Sequence, residues 1–62
     1  MTTAEHIKAI RAKSGLTQAA FAAAYEIPKR TFESWEMGER TPPPYVIRLL
    51  EAAVAANRPR ED

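Results

Sequence analysis

Residues that a helix cannot easily carry through cut this chain into short pieces: Gly15, Pro28, Gly38 and the run Pro42-Pro43-Pro44. Between them lie helix-length segments whose apolar side chains recur at helical intervals, and no segment alternates as a half-buried strand would. The pattern predicts an all-α chain of four helices with short links. With Thr3 as N-cap, Ile7, Ile10 and Ser14 fall on one face of a helix over 3–14, closed by Gly15 in a left-handed conformation. Thr17 then caps an alanine-rich helix over 18–25, in which Phe21 and Tyr25 share a face. Pro28 suits a first helical position, because its missing N–H has no partner there anyway. That third helix runs over 28–37, with Phe32 and Trp35 inward. After a stiff proline connector, a fourth helix over 43–57 presents Val46, Leu49, Leu50, Ala53 and Val54 as its core stripe. Residues 1–57 are read as one domain and 58–62 as a charged flexible tail.

At 62 residues the chain has room for one modest core. It contains no cysteine, and its one histidine, His6, cannot make a metal site alone. No serine or threonine has a base in reach of the kind nucleophilic catalysis needs, and a core this small leaves no room for a sizeable pocket. The reading is therefore not an enzyme, with no cofactor and no metal. No apolar run is long enough for a membrane span, and the start lacks the basic and apolar parts of a signal peptide, so the expected place is the cytoplasm. Net charge is only +1, so any polyanion partner requires the cations to be sorted onto one face.

The second and third helices are separated by a very short turn, with small Ala22 where they would cross and Ile27 filling the space between them. Two short helices joined in this way make a helix-turn-helix, whose second helix can enter the DNA major groove. Here that helix carries Lys29, Arg30, Glu33 and Ser34 on its polar side. Lysine and arginine can donate to guanine O6 and N7, whereas Glu33 can accept from cytosine N4 but is repelled by phosphates.

The stretches Gly15-Leu16-Thr17-Gln18-Ala19-Ala20-Phe21-Ala22, Ile27-Pro28-Lys29-Arg30-Thr31-Phe32 and Trp35-Glu36-Met37-Gly38-Glu39-Arg40-Thr41-Pro42 closely resemble the Cro and lambda-repressor-like helix-turn-helix regulators. The resemblance extends over about Ile7 to Val54. It implies a compact four-helix domain that binds a double-stranded DNA operator, as a repressor acting as a homodimer on a short palindrome, in a bacterial or phage setting. Residue by residue, it implies base contacts from Lys29, Arg30 and Ser34, with Thr31 serving base or phosphate. It implies phosphate contacts from Thr17 and Gln18 at the start of the second helix, and from Arg40 and Thr41 in the loop after the third. It also implies a structural ion pair between Arg11 and Glu36.

Two positions depart from the family. Its turn often holds glycine where this chain has Glu26; a positive φ there costs about 1 kcal/mol, or the turn has another shape. The family domain usually has a fifth helix, whereas this sequence stops after the fourth, which leaves the dimer interface of longer relatives absent or rebuilt. A second function stays open beside the first. Domains of this kind also serve as antitoxins or phage-operon modules whose main role is to bind a protein, such as a toxin. The weakly charged fourth helix, with Tyr45 and Ile47, is a candidate surface for such a partner.

Overall fold

A computed structural model describes residues 2–56. These form four helices, α1 (Thr3–Ser14), α2 (Gln18–Ala24), α3 (Lys29–Met37) and α4 (Pro44–Ala56), with no strand among the described residues. The expected tail, 58–62, and the expected last residue of the fourth helix, Asn57, lie outside them.

The helix starts follow from local chemistry. The N-cap of α1 is Thr2, not Thr3: its Oγ1 accepts from the Glu5 N–H at 3.1 Å, and Glu5 Oε1 accepts from the Thr2 N–H at 2.9 Å. Only Thr2 has a glutamate three residues ahead, and this reciprocal pair of bonds satisfies two otherwise free donors. Thr17 caps α2 by accepting from the Ala20 N–H at 3.1 Å. Pro28 precedes α3 as its N-cap instead of forming its first turn, with ψ at 131°, and it brings no side-chain cap.

The ends are as well defined. Gly15 and Gly38 take φ of 74° and 80°. Between α2 and α3, Glu26 takes φ of 57°. The Ile27 N–H donates to Ala22 O at 2.8 Å and the Glu26 N–H to Ala23 O at 3.3 Å. These two bonds form a Schellman motif, in which the left-handed position is the one glycine normally fills. The turn therefore keeps the shape glycine favours, with glutamate in its place.

α1 is the hub. It packs on α2, α3 and α4, and α2 packs on α3. The core joins Ile7 and Ile10 of α1, Phe21 and Ala22 of α2, Phe32 of α3, and Leu50 and Val54 of α4. Phe21 and Phe32 stack with centroids 5.0 Å apart, which fixes α2 against α3. Trp35 packs at the edge of this cluster, T-shaped on Phe32 at 6.2 Å. Pro42 is fully buried, so the proline connector is also core. The stripe of α4 is rotated from the expected one: Val46, Ile47, Leu50 and Val54 face the core, while Leu49 is 62% exposed. α4 packs on α1 alone, so only one arc is covered; it is centred between Leu50 and Val54 and takes in Val46 and Ile47, while Leu49 falls outside it.

Candidate nucleic-acid interface

The sequence places the cations Lys29 and Arg30 in the first turn of α3, and both are exposed. No acidic residue shares that turn, and no side chain caps it. The free N–H groups and the helix dipole already make this end positive. Two cations there cost helix stability, so the local sequence works against the fold here as it does at Glu26. Lys29 Nζ lies 3.7 Å from Glu33 Oε2, one turn further along. Thr31 and Ser34 are half-buried, and the Ser34 carbonyl receives the N–H groups of Glu39 at 3.0 Å and Arg40 at 3.3 Å, which anchors the loop after α3.

The other end of α3 is held by one carboxylate. Glu36 is 3% exposed. Arg11 of α1 donates from Nε to Glu36 Oε2 at 2.6 Å and from Nη2 to Oε1 at 3.3 Å. Gln18, the first residue of α2, donates from Nε2 to Glu36 Oε1 at 2.8 Å. Arg11 Nη1 also donates to Leu16 O at 3.1 Å, in the link between α1 and α2. Burial alone would push the Glu36 carboxyl up; the hydrogen bonds from Arg11 and Gln18, the charge of Arg11 and, more weakly, that of Lys8 outweigh it, leaving the carboxyl below its ordinary value. Glu36 thus ties together α1, the start of α2 and the end of α3.

This places the start of α2 beside the end of α3, where the loop carrying Arg40 and Thr41 begins. Arg40 and Thr41 are exposed and line a shallow cleft with Thr2, Thr3, Ala4, Met37 and Gly38. Thr17 spends its hydroxyl oxygen on the helix cap, which leaves its O–H free to donate outward. Gln18 commits one N–H of its amide to Glu36 and keeps the second. The cation-bearing start of α3 and the donor-bearing start of α2 thus lie at opposite ends of α3.

Sequence reasoning missed the inward bond of Gln18. A glutamine at a helix start reads as a surface residue, and only the three-dimensional crossing of α2 and α3 brings it to Glu36. It also missed the contact of His6 Nε2 with Glu51 Oε2 at 2.5 Å, which clips α1 to α4. Glu51 is too distant from His6 in sequence for helical spacing to pair them. No described helix is long and apolar enough to cross a membrane.

A family profile described as helix-turn-helix, of the XRE and lambda-repressor-like kind, matches residues 7–54, most of the chain. No curated protein and no solved structure matches the chain.

Proposed function

The chain belongs to the lambda-repressor-like helix-turn-helix family of DNA-binding transcription regulators, and from that premise we propose that it represses transcription by reading one short palindromic duplex site as a homodimer. The observation that carries this reading is the start of α3: two exposed cations on an uncapped helix end, at a cost to the fold that binding an anionic partner would offset. In this reading α3 enters the major groove, with Lys29, Arg30, Thr31 and Ser34 at the base edges. Thr17 and Gln18 grip a phosphate at the start of α2, and Arg40 with Thr41 grips the backbone beyond α3. The Arg11–Glu36 pair is structural: it fixes the angle between α2 and α3 and aims the free amide N–H of Gln18. Two such domains present their α3 helices about 34 Å apart, one turn of the duplex. Residues 1–57 are the DNA-binding unit, 58–62 a charged extension, and the site of action is the cytoplasm.

The low net charge of +1 supports selective over indiscriminate binding, since the latter rests mainly on neutralised phosphates. One feature supports the second reading, a protein partner such as a toxin. Tyr45 and Leu49, four residues apart on α4, are 59% and 62% exposed, whereas Ile47, expected beside Tyr45 on that surface, packs against the core instead.

The test is the charge-reversed pair Lys29→Glu and Arg30→Glu. Loss of site-specific binding with the helical fold intact supports the reading. Undiminished specificity in that variant contradicts it.

A further inference from the structure

Lys29 and Arg30 are neighbours in the same turn and both are exposed, yet they differ in one respect. Lys29 has Glu33 one turn along, with Nζ to Oε2 at 3.7 Å, while Arg30 has no ion pair among the described residues. The Lys29–Glu33 contact is long and wet, with Lys29 62% and Glu33 37% exposed. The order is also the weaker one, because a lysine N-terminal to its glutamate sets both charges against the helix dipole. Such a pair contributes little to the fold. While closed it offsets the charge of Lys29, the first residue of α3.

Resting on the proposed reading of duplex DNA, we propose that Glu33 is a specificity-determining residue that acts as a pair with Lys29. A phosphate offers acceptors only. It attracts Lys29 but repels Glu33, so the pair as a unit gains little from the backbone of an arbitrary duplex. A G·C pair in the major groove offers acceptors at guanine O6 and N7 and a donor at cytosine N4. There the pair opens with both members satisfied, the ammonium on guanine and the carboxylate on cytosine. Arg30 supplies attraction and Lys29–Glu33 supplies discrimination. A carboxylate on a groove-reading face, otherwise a burden beside phosphates, has a use on these terms.

The experiment compares the wild-type chain with Glu33→Gln on two duplexes: the sequence that the wild type enriches from a random pool, and a scrambled duplex of the same composition. Both are titrated at two salt concentrations. Glu33→Gln frees Lys29 for phosphates, so binding to the scrambled duplex tightens several-fold. Its dependence on log salt steepens by about 0.9, one added phosphate contact. Binding to the enriched sequence changes less, and the ratio between the two falls. The same substitution is then made in a Lys29→Met background, where the tightening on the scrambled duplex disappears. An unchanged ratio and slope for Glu33→Gln overturns the inference, as does an equal tightening in the Lys29→Met background, which would make the effect one of overall charge. A wild-type chain that enriches no sequence overturns the functional reading itself and this inference with it. Thermal melts of Glu33→Gln and Glu33→Ala close to that of the wild type keep the comparison one of folded proteins.

Discussion

The amide of Gln18 stands 2.8 Å from Glu36, on the same buried carboxylate that Arg11 holds from the other side. One acid thereby sets the position of the first residue of α2 relative to α3, the two elements that the proposed function brings to a duplex together.

Glu36→Ala should therefore cost more than a surface change. Removing one member of a buried pair costs about 3–5 kcal/mol. Arg11 keeps 26% of its side chain in water, so about 2 kcal/mol is expected here. Chemical denaturation measures it. A cost below about 0.5 kcal/mol, the range of ordinary surface substitutions, would contradict the network.

The same carboxyl gives a pH dependence of known sign. Its folded pKa lies below its ordinary value near 4.5, so the folded state favours the ionised form. The resulting stability is fully present above the unfolded pKa and is lost as pH falls through the folded one. Melting temperature should drop on acidification below about pH 4.5. Glu36→Gln should be less stable at neutral pH and show a shallower decline. Parallel profiles for the two proteins would be the contrary result.

Glu26→Gly should stabilise the chain by less than about 1 kcal/mol, because Glu26 occupies the left-handed position of a Schellman motif at φ 57°. The gain is less than the strain relieved if glycine's greater freedom in the unfolded chain offsets part of it. Glu26→Val, β-branched, should destabilise. Melting temperatures in the order glycine, glutamate, valine check this; no difference between glycine and glutamate would show that the turn carries no strain.

Much of the fold was legible in the sequence because its punctuation is chemical. Gly15, Gly38 and Thr17 do at their positions what isolated helices need, and Phe21, Phe32 and Ala22 fall where helical spacing puts them. Errors arose where two neighbours compete. Thr2 and Thr3 are alike until Glu5 is counted, and Leu49 and Ile47 are both good core residues until the face that α4 turns to α1 selects one. The exposed cations of α3 were legible as a set, since they share one turn. The bonds of Gln18 to Glu36 and of His6 to Glu51 were not, because they join separate helices whose crossing no local pattern encodes.

Lys29→Glu with Arg30→Glu should raise the melting temperature while removing DNA binding. Acidic residues suit a helix N-terminus by about 0.3–1 kcal/mol each, and the wild type places cations there. Repulsion between the new glutamate at position 29 and Glu33 offsets part of the gain. A double variant that melts well below the wild type would mean that the two cations serve the fold and not a partner.

The central claim is that the start of α3 reads a duplex sequence, and selection from a random duplex pool tests it most directly. The claim predicts enrichment of a short palindrome containing guanine opposite Lys29 and Arg30, with affinity that weakens steeply between low and physiological salt. A pool that stays unenriched at low salt would contradict it and would mean that the fold serves protein contacts or that a partner must complete the DNA-binding unit.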